Sequence, residues 1–169
     1  PRCATGAFSG AFQFSAGRSD IQWSIRLGDI EVSLQVVIPC DDAVELWKVK
    51  LRNLSLRPRS LSLVSYFPVG RLSWSGQTAR YDTNLSASLF EFFPYHVKHE
   101  DYFALKDGWN KVFALSSESP DAFMFNAVDF IGQGNLDHPE MLQMKTLPTP
   151  ERWADADTEH AAIFQFDQH

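Results

Sequence analysis

Cysteine is nearly absent from the 169 residues: Cys3 and Cys40 stand far apart and without metal-ligand spacing. That leaves room for one disulfide at most, excludes a disulfide scaffold, and predicts two reduced thiols in a cytoplasmic protein. Basic runs are absent as well. Fifteen Lys and Arg lie mixed among twenty-one Asp and Glu, for a net charge of −6, which argues against a nucleic-acid partner held by phosphate contacts and against an anionic membrane surface. No apolar run approaches the length of a transmembrane helix, and the N-terminus lacks the charged-then-apolar layout of a signal peptide. Helical periodicity is scarce, and there is no internal repeat or low-complexity tract. A chain of this length buries roughly 70% of its unfolded surface and needs no metal or disulfide to fold. The expectation is one domain, residues 1–169.

Aromatic side chains are plentiful, at 14% with fourteen Phe and five Trp, mostly inside alternating segments. Such rings fill a two-sheet interior, and they also suit a sugar-stacking platform; composition does not choose between the two.

The stretch from Asp20 to Asn53 organises the chain, because three consecutive segments in it alternate with period two. Ile21, Trp23, Ile25 and Leu27 share one face of the first. Ile30, Val32, Leu34, Val36 and Ile38 share one face of the second, and Trp47, Val49 and Leu51 one face of the third. This predicts a three-stranded antiparallel meander with one face in a core. Gly28-Asp29 fits a two-residue type II′ hairpin, where Gly takes a positive φ.

Further strands are expected at 7–15, 60–67, 85–95, 111–117, 122–126 and 161–166. Pro68 to Asn84 breaks the alternation and reads as a long loop, whose Arg71, Trp74, Gln77, Arg80 and Tyr81 suit hydroxyl and carboxylate recognition. Residues 97–107 fit a short helix or an irregular loop. Asp137 is expected to cap a helical turn starting at His138-Pro139-Glu140, and 146–157 reads as Pro-rich connection. The chain reaches His169 just as a strand pattern resumes, so it is expected to be a piece of a longer protein. Eight or more short strands with almost no helix predict an all-β antiparallel sandwich.

Few residues offer chemistry of their own. His96, His99 and Asp101 have zinc-like spacing, but no third His follows, and a solvated loop is the plainer reading. An independent metal hydrolase is therefore the least favoured function, and no metal or cofactor is expected. Glu91, Glu100 and Asp101 are the carboxylates available for a glycosidase pair; for Glu91 an ion pair with a neighbouring Lys or Arg is the commoner outcome. Ser73 and Ser75 lack a nucleophile elbow, and Gly132-Gln133-Gly134 lacks the strand-to-helix unit of a phosphate cradle.

The run DDAVELWKVKLRN, followed by RSLSLVSYFPVGRLSW and a Gln three residues on, resembles the N-terminal β-sandwich of glycoside hydrolase family 94 phosphorylases, nearest the branch that acts on cellobionic acid. PYHVKHEDYFALKD, SPDAFMFNAVDFIGQG and NLDHPEML resemble later segments of that sandwich in the same order, so the likeness runs from about Asp20 to Leu142. The resemblance implies a supersandwich of the galactose mutarotase-like kind, joined to an (α/α)6 barrel. That barrel would carry the general acid and phosphate site for inverting phosphorolysis of a β-glucosyl disaccharide to glucose 1-phosphate. This chain alone lacks such a barrel, so no catalytic residue is assigned within it. The resemblance also implies that the sandwich supports a homodimer and lends a loop to carbohydrate binding. WSGQ stands where the family branch has W-M-N-Q. Trp74 and Gln77 thereby become substrate-binding candidates together with Arg80 and Tyr81, while Ser75 and Gly76 replace a larger pair. A free-standing carbohydrate-binding or mutarotase-like sandwich is the alternative.

Overall fold

Hydrophobic alternation decides the first part of the fold. The computed structural model describes residues 12–69, 75–94, 111–144, 147–148, 153–156 and 160–168. They fall into two compact units, dividing after Ser60. In the first, β1 (Phe12–Ala16), β2 (Asp20–Leu27), β3 (Ile30–Val37) and β4 (Leu46–Asn53) form an antiparallel sheet in chain order. Register keeps like with like: Phe14 pairs with Trp23, Trp23 with Leu34, and Leu34 with Val49, so one face is apolar from edge to edge. Phe14 and Trp23 meet with ring centroids 5.9 Å apart. The opposite face pairs Ser24 with Ser33 and Ser33 with Lys50. Phe12 (51%), Phe14 (56%) and Trp47 (42%) on the apolar face are substantially exposed.

Gly28 has φ 60°, and Asp29 has no positive φ, as a type II′ hairpin requires. A Cβ at Gly28 would meet nothing within 4 Å, so backbone conformation is the sole obstacle to a side chain there. Gly28→Ala is expected to destabilise the first unit by about 1 kcal/mol. An unchanged denaturation midpoint would show that the turn tolerates a side chain.

The second unit comprises β5 (Leu61–Val69), β6 (Ser75–Asp82), β7 (Ala87–Pro94), β8 (Lys111–Leu115), β9 (Ala122–Asn126), α1 (Ala127–Ile131), a 3-10 turn (Glu140–Gln143), β10 (Trp153–Ala156) and β11 (His160–Gln168). Two antiparallel sheets result, ordered β10-β6-β7-β8 and β5-β11-β9. Ala79 and Phe90 of one meet Phe125, Ala162 and Phe164 of the other in a buried cluster. The alternate residues of β9 and β11, including Met124, Ala161 and Ile163, form a second cluster with Ala127 and Phe130 of α1. β11 is thus buried on both faces. Tyr66 of β5 stacks on Phe130 at 5.6 Å. The described residues are nearly all β with antiparallel sheets and one short α-helix, as the alternation predicts.

Several local expectations are corrected. Pro68 is not in a loop: it lies in β5, an edge strand, where a missing ladder donor is tolerated. The expected loop at 75–82 is β6, paired on both sides by β7 and β10. Part of the expected Pro-rich connection, 153–156, is β10. The turn at Glu140–Gln143 starts after Pro139 with no side-chain cap. The side-chain cap belongs instead to α1, where Asn126 Oδ1 accepts from the Val128 and Asp129 amides at 2.9 and 3.2 Å. The expected strand at 7–15 is met by β1 from Phe12 onward; residues 7–11 and 97–107 lie outside the described residues.

Candidate functional site

Alternation along β6 sends its side chains to opposite faces. Gln77, Ala79 and Tyr81 point into the space between the two sheets of the second unit. Tyr81 stacks on Phe123 at 4.1 Å and meets Phe164 edge-on at 6.3 Å. Arg80 is half-buried on the other face. Trp74 lies outside the described residues. The sequence candidates are therefore not gathered into one pocket: Tyr81 is tied into the aromatic core, Arg80 faces away from it, and Gln77 is sealed within it.

Gln77 is the unusual one. It is 0% exposed, and neither its Oε1 nor its Nε2 has a hydrogen-bond partner among the described residues. An unmet buried amide typically costs about 1–3 kcal/mol, so such groups are rare unless a partner arrives from elsewhere.

Register supplies its surroundings. Tyr81 meets Phe164; two residues back along each strand, Ala79 and Ala162 share the core cluster. The ring of Phe90, cross-strand partner of Ala79, meets His160 edge-on at 6.3 Å and Phe125 at 6.0 Å. His160 is 2% exposed. Sequence reading missed it, and the one signal was its place at the head of the buried run AAIF. An amide that both donates and accepts, enclosed in an aromatic interior, is equipped for recognition.

Glu91 forms an ion pair with Lys111 at 3.2 Å, the outcome favoured for it. Cys40 carries a free, exposed thiol; Cys3 lies outside the described residues. His96, His99, Glu100 and Asp101 do too. Among the described residues, no three His, Cys, Asp or Glu come together as a metal site, and no helix is long and apolar enough to cross a membrane.

The family model described as the supersandwich domain of glycosyl hydrolase 94 matches residues 8–155. Cellobionic acid phosphorylase of Neurospora crassa is 37% identical over 136 residues, covering 80% of this chain and 17% of the relative. A 3-O-beta-D-glucopyranosyl-beta-D-glucuronide phosphorylase of Paenibacillus borealis is 28% identical over 108 residues, 64% of this chain and 14% of the relative. The chain spans less than a fifth of the length of the curated relatives it matches.

Proposed function

The chain belongs to the glycosyl hydrolase 94 supersandwich family, and from that premise we propose that it is the non-catalytic sandwich of a cytoplasmic, homodimeric disaccharide phosphorylase. The reaction is phosphorolysis, with inversion, of a β-glucosyl disaccharide whose second sugar carries a carboxylate, releasing glucose 1-phosphate. The two relatives, named for cellobionic acid and a glucuronide, support the acid-sugar class. Catalysis belongs to an (α/α)6 barrel of the same protein. The exposed apolar face of the first unit, with Phe12, Phe14 and Trp47, is surface of the kind that subunit and domain contacts use.

The observation that carries the residue-level reading is the Gln77 amide, buried and unmet among the described residues. Its partner is a hydroxyl or carboxylate of the acid sugar, a contact that Arg80, on the other face of β6, and Tyr81, stacked in the core, do not share. A group kept for binding at the expense of folding makes a paired prediction.

The test is phosphate release from glucose 1-phosphate with gluconic acid or glucose as acceptor, run on the 169-residue chain and on the complete protein its gene encodes. Activity is expected in the complete protein, lowered about tenfold or more by Gln77→Ala with gluconic acid as acceptor. Gln77→Met is expected to raise the melting temperature by about 2–4 °C, for a gain of about 1 kcal/mol, while losing the same activity. Activity in the short chain would point to a free-standing sandwich. A Gln77→Met protein that is destabilised and still active would remove Gln77 from the site.

A further inference from the structure

The polar face of the first unit's sheet carries four cations, Arg26, Lys48, Lys50 and Arg52, against two carboxylates, Asp20 and Glu31, in a chain whose net charge is −6. Four of these groups already have partners. Arg26 Nε donates to the Gly28 carbonyl at 2.9 Å, Arg52 approaches Glu31 at 3.9 Å, and Asp20 accepts from Gln35 Nε2 at 3.3 Å. Lys48 and Lys50 have neither an ion pair nor a hydrogen bond among the described residues. A cavity of about 200 Å³ opens on this face, lined by Gln22, Ser24, Glu31, Ser33, Lys50 and Arg52.

The lining is ordered by the ladder: Ser24, Ser33 and Lys50 lie on one cross-strand rung, and Glu31 and Arg52 on the next. One ammonium thus stands beside two hydroxyls and an amide, with a carboxylate acceptor one rung away. A simple anion would need only the cations, and Glu31 would repel a polyanion such as nucleic acid. A molecule with one carboxylate and several hydroxyls uses every group present: its carboxylate on Lys50 and Arg52, its hydroxyls on Ser24, Ser33, Gln22 and Glu31.

We propose that this cavity on the polar face of the β1–β4 sheet binds a carboxylated sugar, an aldonic or uronic acid, with Lys50 as its main anchor. The proposal depends on the reading of the chain as part of an acid-sugar enzyme for its choice of probe; the site itself rests on the rung geometry. It makes the first unit a sugar-acid holding surface.

Calorimetric titration of the full chain with gluconate, glucose and acetate tests it. Saturable gluconate binding is expected, with glucose and acetate each weaker by about tenfold or more. Lys50→Gln should weaken gluconate about fivefold to tenfold, a modest figure because the ammonium is exposed. Ser33→Ala on the same rung should act in the same direction. Lys111→Gln, in the second unit and outside every proposed sugar contact, should leave the binding unchanged, and circular dichroism would confirm that each variant is folded. Equal affinity for acetate, no saturable binding, or indifference to Lys50→Gln overturns the proposal. Loss in Gln77→Ala with none in Lys50→Gln overturns it too, and leaves the Gln77 reading standing.

Discussion

Phe90→Ala is expected to destabilise the second unit by about 3–5 kcal/mol, a large share of the stability of a domain this size. The side chain is 0% exposed, on β7, with β6 on one side and β8 on the other. Its ring reaches Phe125 at 6.0 Å and His160 at 6.3 Å, both nearly perpendicular, so truncation removes aromatic contacts as well as volume. Two members of the same buried cluster, Ala79 and Ala162, are already small and have no long side chain to move into the space. Phe90→Leu keeps most of the volume and should cost about 1–1.5 kcal/mol. Urea denaturation followed by circular dichroism decides: a loss below about 1.5 kcal/mol for the alanine variant would mean the two sheets do not depend on this ring.

Gln165→Ala is expected to cost about 2–4 kcal/mol, through unmet hydrogen bonds. Gln165 is 2% exposed. Its Oε1 accepts from the Leu147 amide at 2.8 Å and its Nε2 donates to Asp167 Oδ1 at 2.9 Å. Asp167 in turn accepts from Ser62 Oγ at 2.6 Å and donates its amide to Asp121 Oδ2 at 2.7 Å. The network fastens Leu147, the start of β9 and the edge strand β5 onto β11. Gln165→Met, which preserves volume, isolates the polar part, about 1–3 kcal/mol. Hydrogen exchange at the Leu147 amide gives a local reading. Unchanged protection in the methionine variant would assign the loss to packing alone.

The residues that sequence reading placed well are those whose alternation is chemical as well as geometric. From Ile21 to Leu51 one face of the sheet is apolar at every position and the other is mostly charged or hydroxylated, so pattern and pleat coincide. β6 was misread because its inward positions hold Gln77 and Ala79: a buried strand of small and polar residues still has period two in space, but not in hydrophobicity. β10 is four residues long, too short for any period to show. α1 is nearly as short, and its signal was local: Asn126 three residues before Asp129, joined by a 2.8 Å side-chain hydrogen bond. Within the site, Gln77 was chosen through family likeness. Its isolation from hydrogen-bond partners depends on what the opposite sheet presents, which no local pattern encodes.

The order of strands in the second unit differs from their order along the chain, and this sets how the two units can be made. The β1–β4 sheet joins each strand to its neighbour in sequence, so it can close hairpin by hairpin as the polypeptide leaves the ribosome. β5 and β9 must wait for β11, the strand between them, and Ser62 bonds to a residue 105 positions further on. Until residues 160–168 emerge, two apolar strands lie synthesised without the element that separates them. The second unit is thus the slow-folding half of the chain, and the interval before β11 arrives is when its exposed strand edges are most open to misassociation.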